Sequence, residues 1–157
     1  MTSPAPPRPS FIPSLAYKDN RAALEWLAGA FGFEVAMAIE DDEGDPRNCH
    51  YEMAIEGRGR IMIGGEWADW TRSPTSLGGK NTQRVHVRVD RGIDEHCARA
   101  RQAGAKIVME PADQFYGHRT YIAADPEGHY WTFSQAVREV SREEMEKVTG
   151  FKFGPAR

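Results

Sequence analysis

The sequence predicts an α+β fold: two βαβββ modules whose curved mixed sheets enclose one cavity. The main observation is a repeat, because the order strand, helix and three strands occurs twice along the 157 residues. In both copies a glycine ends the helix and the chain turns back into a strand, as in Phe31-Gly32-Phe33 and Ala103-Gly104-Ala105. A chain of this length can bury a core as one domain.

The first module is predicted to cover residues 10–65. Its opening strand leads to the Asp19-Asn20 pair, whose side chains can cap a helix that Gly32 ends. Leu24, Leu27 and Phe31 share one face of that helix, which is typical of a helix that lies on a sheet. The predicted elements are a strand at 11–17, a helix at 21–31, and strands at 33–39, 49–55 and 60–64.

The second module is predicted to cover residues 82–136, after a loop at 66–81. Its first strand alternates valines with polar residues, and Gly104 follows its helix. The predicted elements are a strand at 83–89, a helix at 93–103, and strands at 106–109, 119–124 and 130–134.

The two ends of the chain are predicted to lie outside this domain. Residues 1–9 are rich in proline and have no apolar core, so we interpret them as a flexible arm and not as a secretory signal. In the extension at 137–157, Ser141 and Glu144 form a capping box and Gly150 ends a short helix. Phe151 and Phe153 are apolar enough that we expect them to cover a sheet or a neighbouring subunit.

Composition limits the function classes. The formal net charge is -3, no run of five basic residues occurs, and no apolar stretch reaches membrane-spanning length. Nucleic-acid and membrane partners are therefore not expected, which leaves a small molecule or another copy of the chain. Cys49 and Cys97 are too few for a disulfide framework, so free thiols in the reducing cytoplasm are expected.

The most specific motif is the turn Asp125-Pro126-Glu127-Gly128-His129 and the strand after it. Pro126 fixes φ, and Gly128 tolerates a positive φ. With Tyr116-Gly117-His118-Arg119 ahead of the turn and the duplicated unit, the chain resembles the vicinal oxygen chelate superfamily of glyoxalases, bleomycin resistance proteins and extradiol dioxygenases. The resemblance covers residues 10–136 and implies a cavity built from both modules and a homodimer, but not one particular reaction.

The resemblance also implies a metal site with ligands from the first and last strand of each module. His86 matches the ligand position in the second module's first strand. The other positions fall near residues 12–14, at Ile63 or Gly64, and at Thr132, where the superfamily commonly has a glutamate. One imidazole does not hold a catalytic ion, since such sites generally need three protein donors. No cofactor is therefore predicted.

A divalent metal held by other residues is kept as an alternative. His50 and Glu52 share one face of their strand, and Glu66 follows the next strand, so these three could join His86. Polar residues at this spacing are more often the solvated face of a strand.

The resemblance implies that Thr132 faces the cavity, and strand alternation then places Tyr130 and Ser134 on the same side. Arginines and an imidazole near hydroxyls suit an anionic or hydrogen-bonding ligand. His118 and His129 flank turns, where exposed polar side chains are expected, so neither is included. The predicted ligand-binding residues are Arg84, His86, Arg88, Arg119, Tyr121, Tyr130, Thr132, Ser134, Trp67, Trp70 and Tyr116.

Each of these assignments has a structural alternative. Arg84 and Arg88 could pair with nearby carboxylates, His86 could be a core histidine with a hydrogen-bond partner, and the loop tryptophans could anchor their loop. Three function hypotheses remain. The first is a metal-free protein that binds a small polar or anionic molecule. The second is a lyase, isomerase or dioxygenase that uses either another metal site or His86 as general base. The third is an interaction module with a vestigial pocket.

Overall fold

The computed structural model describes residues 9–154, so the predicted flexible arm lies almost entirely outside the described residues. It confirms the predicted α+β architecture, with two curved four-stranded mixed sheets and three α-helices. None of the described helices is long and apolar enough to cross a membrane. The elements are β1 Ser14–Tyr17, α1 Asn20–Phe31, β2 Glu34–Ile39, β3 His50–Ile55, β4 Arg58–Gly65, a short 3-10 helix Pro74–Leu77, β5 Val85–Arg88, α2 Ile93–Gln102, β6 Lys106–Asp113, β7 His118–Ala124, β8 Tyr130–Ala136 and α3 Arg142–Thr149.

The two sheets share one topology. The strand orders are β1-β4-β3-β2 and β5-β8-β7-β6, and in each sheet the first strand runs parallel to the last strand of its module. The remaining neighbours are antiparallel. Each of the two sequence repeats therefore forms one complete four-stranded sheet.

Several strand ends differ from the prediction, and proline accounts for two of the differences. The first strand begins at Ser14 instead of residue 11 because Pro13 has no N–H, although its carbonyl still accepts a bond from Met62 N at 2.8 Å. Upstream of it, Phe11 is 91% exposed. The sixth strand continues past the predicted end at 109 to Asp113, and irregularities in its pairing with β7 accommodate Pro111.

The predicted helix caps are present. Asp19 Oδ1 accepts a bond from Ala22 N at 2.9 Å, and Gly32 has a φ of 72°, the left-handed conformation that ends α1. Ser141 Oγ accepts a bond from Glu144 N at 3.1 Å. The Glu144 carboxylate pairs with Arg138 at 3.0 Å and does not accept from the Ser141 N–H, so only one half of the predicted capping box is formed.

A single aromatic cluster joins the two modules. Phe31 and Phe33 of the first module pack against Trp131 and Phe133 of the second, with Phe31 and Phe133 ring centres 4.7 Å apart. All four side chains are buried. The modules therefore share one core, which fixes the position of β8 against the end of α1.

His96 on α2 closes one side of this core. Its Nε2 lies 2.9 Å from the Phe31 carbonyl oxygen and donates to it, so Nδ1, 2.6 Å from the Tyr121 hydroxyl, accepts from that group. Burial lowers the pKa of His96 from its ordinary value of 6.5, and the nearby Arg99 charge acts in the same direction, while the bond to the Phe31 carbonyl opposes the shift. The core is built around a neutral imidazole.

The signature turn forms a second link between the modules. The Asp125 carboxylate is 6% exposed and accepts bonds from Tyr17 Oη at 2.6 Å and Trp131 Nε1 at 3.1 Å. The backbone N–H groups of Glu127 and His129 donate to its other oxygen at 3.0 Å. Four donors thus satisfy this buried carboxylate, and Tyr17 comes from the first module.

Glu127 and His129, in the same turn as Asp125, also bond to the first module. Glu127 accepts bonds from the backbone N–H of Lys18 at 2.6 Å and from Ser73 Oγ at 2.6 Å, so it also holds the intermodule loop. His129 was expected to be exposed beside the turn, but it is buried. Its Nε2 lies 2.8 Å from the Ala16 carbonyl oxygen, a bond that spans the two modules and removes the side chain from solvent.

The C-terminal aromatics are less covered than expected. Phe151 is 71% exposed, and α3 contains no buried residue. Phe153 is partly buried, and its backbone N donates to Glu146 at 3.0 Å. Phe151 therefore does not cover either sheet, and its contact with a neighbouring subunit stays a prediction.

Substitution of Asp125 by alanine should lower the free energy of unfolding by about 3 kcal/mol, because it leaves the buried Tyr17 hydroxyl and Trp131 N–H without an acceptor. Asp113→Ala is the matched control, since it removes an exposed carboxylate that pairs with Arg119 and should cost less than about 1 kcal/mol. Urea unfolding of both variants measures the difference. Equal losses would contradict the role given to the turn.

Acidification should destabilise the protein through His96. His96 binds a proton near pH 6.5 in the unfolded state and only at lower pH in the folded state. Above pH 6.5 it therefore has no effect on the free energy of unfolding. Below pH 6.5 that free energy falls as the pH decreases. Between pH 7.5 and 5.5 the native protein should therefore lose more stability than His96→Gln. Urea unfolding at the two pH values tests this, and parallel losses in both proteins would contradict it.

Candidate functional site

Strand alternation creates a polar face on the side of the second sheet that its helix does not cover. In β8, Trp131 and Phe133 point into the core, so Thr132 and Ser134 point the other way. In the parallel pair, His86 lies beside Thr132 and Arg88 beside Ser134. We call this surface the helix-free face. The structure thus brings together four residues that the sequence predicts to bind ligand.

His86 is the central group of this face. Its Nε2 lies 2.9 Å from Ser134 Oγ, and its side chain is exposed while Ser134 is buried. Partial burial lowers the pKa of His86 from 6.5, and the positive charges of Arg84, Arg88 and His118 lower it further. The imidazole is therefore neutral at neutral pH and can accept a proton or a hydrogen bond.

His118 was left out of the predicted site because it flanks a turn. The register of β7 against β8 places it on the helix-free face, with Thr120 opposite Ser134 and His118 opposite Ala136. Its charge also lowers the pKa of His86. The position of His118 on this face follows from the pairing of β7 with β8, and the sequence around His118 does not reveal it.

Thr132 occupies the position that the resemblance associates with a metal-binding glutamate. It is 7% exposed, and its hydroxyl oxygen has no hydrogen-bond partner among residues 9–154. A buried hydroxyl without a partner costs free energy. It is therefore an unsatisfied polar group that protein atoms cover, in the residue beside His86.

Arg119 and Tyr121 do not lie on this face, which corrects their predicted position at the cavity. Tyr121 is opposite Phe133 in the β7–β8 pair, is fully buried, and stacks on that ring at 5.1 Å. Burial raises the pKa of Tyr121 far above its ordinary value. Arg119 has the same orientation and pairs at 3.0 Å with Asp94 of α2. Both side chains therefore lie on the face of the second sheet that α2 covers.

The remaining aromatic candidates are exposed. Tyr130 precedes Thr132 on the same side of β8, and the Tyr116 ring lies 5.4 Å from that of His118. Trp67 and Trp70 form an edge-to-face pair 4.7 Å apart on the intermodule loop. Trp70 lines a small cleft with Ser14 and Ala16, so this loop lies at the border between the modules.

Arg84, which precedes β5, and Arg88 within it are also exposed. Their predicted alternative was pairing with local carboxylates, but within residues 9–154 neither Arg84 nor Arg88 has a carboxylate oxygen within 4.0 Å. Their charges are therefore directed to solvent beside His86.

The alternative metal ligands do not come together with His86. Glu52 lies 4.0 Å from Arg60, and Glu66 accepts a bond from Ser73 N at 2.8 Å within the intermodule loop. In the part of the chain that the structure describes, no three His, Cys, Asp or Glu side chains are placed to hold a metal ion. The donor set of this fold does not fit the three-ligand site of the metal enzymes.

A groove of about 370 Å³ opens between β4 and β5, and we call it the seam groove. Its volume is in the range of small-molecule sites. The sequence analysis implies a cavity built from both modules but does not place it here, because the groove depends on how the edges of β4 and β5 lie relative to each other. Its apolar lining includes Phe33, Met53, Ile61, Val85, Val87 and Trp131, and its polar lining is Arg58, Arg60, His86 and Arg88.

Comparison with known proteins agrees with this fold. The family model described as "Glyoxalase/Bleomycin resistance protein/Dioxygenase superfamily" matches residues 12–133. An uncharacterized protein of Mycobacterium tuberculosis strain H37Rv is 31% identical over 145 residues, which cover 88% of this chain and 81% of that protein.

Two solved structures are similar over most of the chain. TioX from Micromonospora sp. ML1 is 33% identical, with a TM-score of 0.63 and coverage of 80% of this chain and 97% of that one. TnmS3, described as an antibiotic binding protein from Streptomyces sp. CB03234, is 18% identical, with a TM-score of 0.61 and coverage of 81% and 96%. The second likeness shows the fold alone.

Thr132→Val should raise the free energy of unfolding by about 1 kcal/mol, because it replaces a buried hydroxyl that has no partner by a methyl group of similar size. Ser134→Ala should have the opposite effect, a loss of about 1 kcal/mol, because it removes the partner of His86. Urea unfolding of the two variants checks the signs. Destabilisation by Thr132→Val would mean that this hydroxyl has a partner in solution.

Proposed function

The chain belongs to the glyoxalase/bleomycin resistance protein/dioxygenase superfamily, and from this premise we propose that it binds a small polar or anionic molecule on the helix-free face without a metal ion. The observation that carries the proposal is the exposed imidazole of His86 beside two positive charges. It is neutral at neutral pH, and neither Arg84 nor Arg88 has a carboxylate oxygen within 4.0 Å among the described residues.

Three further features support binding. The seam groove adjoins His86 and provides apolar contact area, while Arg88 and Arg84 supply positive charge nearby. Trp67 and Trp70 present exposed rings at the border between the modules, where a planar ligand could stack. Buried apolar surface with a few converging polar groups is the usual composition of a small-molecule site.

The donor set argues for metal-independent binding. The positions that correspond to the family's other ligands fall at residues 12–14, at Ile63 or Gly64 on β4, and at Thr132 on β8. These are not the imidazole, thiolate or carboxylate donors that transition metals prefer. The proposal therefore assigns recognition to hydrogen bonds and charge.

An enzymatic function is the second candidate, and the state of His86 favours it over a purely structural cavity. An exposed imidazole whose pKa is lowered remains unprotonated at neutral pH and could act as a general base in a lyase or isomerase reaction. The third candidate is an interaction module with a vestigial pocket. Its main support is the exposed Phe151 beyond α3.

We further propose that the protein acts as a cytoplasmic homodimer, as the resemblance to its superfamily implies. The exposed aromatic residue after α3 is one surface that a second copy could cover. Sedimentation of the full chain and of a chain ending at residue 136 would test this assembly. The proposal predicts a dimer for the full chain, and a monomer would contradict it.

The first experiment measures metal content in protein purified without chelator, followed by thermal unfolding with nickel, zinc, manganese and iron(II). The proposal predicts no stoichiometric ion and no saturable stabilisation by these metals. A bound ion would overturn the metal-free assignment. In that case His50→Ala and Glu52→Ala should abolish the stabilisation.

The second experiment screens small molecules, including antibiotics, by thermal unfolding. A ligand of the helix-free face should raise the melting temperature of the native protein and should bind His86→Ala at least about tenfold more weakly, the effect of losing one hydrogen bond in a binding site. His50→Ala is the matched control on the other sheet and should bind like the native protein. A hit that is insensitive to His86→Ala would place the ligand elsewhere.

A further inference from the structure

The seam groove exists because β1 is short. Pairing between β1 and β4 covers Met62 to Gly65 and stops at Pro13, which cannot donate to the next carbonyl of β4. On that side, residues 58–61 of β4 have no strand partner among the described residues. They face the outer edge of β5, whose strand partner in the described structure is β8. The groove is the space between these two open edges.

The floor of the groove is part of the common core. Met53 and Ile61 come from the first module, and Val87 and Trp131 come from the second; all four are buried. Val85 is partly exposed and forms part of the wall. A molecule in the groove would therefore bury apolar surface against both modules, and that burial favours an apolar body.

The charges at the rim are unequally compensated. Arg58 pairs with Glu56 and lies 2.8 Å from Asp90, whose pKa it lowers through a hydrogen bond, so its charge is neutralised. Arg60 lies 4.0 Å from Glu52, which is a weak contact. Arg88 has no carboxylate within 4.0 Å in the described residues. The uncompensated positive charge is therefore at Arg88.

Arg88 also connects the groove to the helix-free face. It lies beside Ser134 in the β5–β8 pair and is two residues from His86, which lines the same groove. A carboxylate at this position would meet a guanidinium that can bind it through two parallel hydrogen bonds. Its apolar body would extend along β5 over Val85 and Val87.

We propose that the seam groove binds an amphipathic carboxylate, with the carboxylate on Arg88 and the apolar body on the floor between β4 and β5. The proposal rests on the proposed small-molecule function and specifies the class of ligand. Neutral molecules of the same shape lose the charge-assisted bonds, and cations meet the uncompensated charge of Arg88 at the rim. Binding therefore depends on both the charge and the length of the apolar chain.

The test uses the full chain and three probes with the same apolar chain: octanoate, 1-octanol and octylammonium. Isothermal titration calorimetry should show octanoate binding at least about tenfold more tightly than 1-octanol, the effect of one charge-assisted hydrogen bond, with octylammonium weaker than both. In Arg88→Gln the preference for octanoate over 1-octanol should disappear. In Arg101→Gln, which removes an exposed arginine of α2 that pairs with Glu110, the preference should be retained.

A second variant tests the apolar half of the proposal. Val85→Phe enlarges a partly exposed wall residue and should weaken octanoate and 1-octanol alike, whereas Val108→Phe on the exposed part of β6 should change neither. Circular dichroism and thermal unfolding confirm that each variant is folded. Weakening by Val85→Phe together with loss of charge preference in Arg88→Gln supports the groove as the site.

The outcomes separate this inference from the general function. If 1-octanol or octylammonium binds as tightly as octanoate, or if Arg88→Gln keeps the preference, the carboxylate assignment is wrong. The same applies if none of the three probes binds. The small-molecule function is judged separately, by ligands whose binding depends on His86. Such a ligand that is neutral or cationic would preserve the function and overturn this inference.

Discussion

The buried carboxylate of Asp125 is the interaction on which the site geometry depends. An ionised group that is removed from water needs several donors, and these donors come from the turn itself, from Trp131 and from Tyr17 of the other module. The start of β8 is therefore fixed against β1. Because side chains alternate along a strand, fixing Trp131 in the core also directs Thr132 to the helix-free face.

Much of the fold could be predicted because its signals are local. Gly32 has the left-handed conformation that its position after a helix indicates, and Asp19 and Ser141 bond the backbone N–H groups that their positions indicate. The alternation in β5 and β8 was also readable, since each has large apolar residues at every second position. These residues determine the orientation of His86 and Thr132.

The parts that were not predicted depend on pairing between distant segments. In β7 the alternation separates Arg119 and Tyr121 from His118 and Thr120, but both sets contain polar groups, so the sequence does not show which set faces the helix. Only the contact of Tyr121 with His96 and Phe133 decides it. The seam groove likewise arises from the relative position of β4 and β5 and from the end of β1 at Ser14.

The threonine at position 132 and the positive charge of the face are connected. A glutamate beside His86 would favour its protonated form and would partly neutralise Arg84 and Arg88. With threonine there, the neighbouring charges act in one direction and lower the pKa of His86. A site that presents a neutral imidazole and unpaired guanidinium groups attracts an anion more than a cation, including a metal cation. Changing this one side chain thus alters the class of molecule that the face can bind.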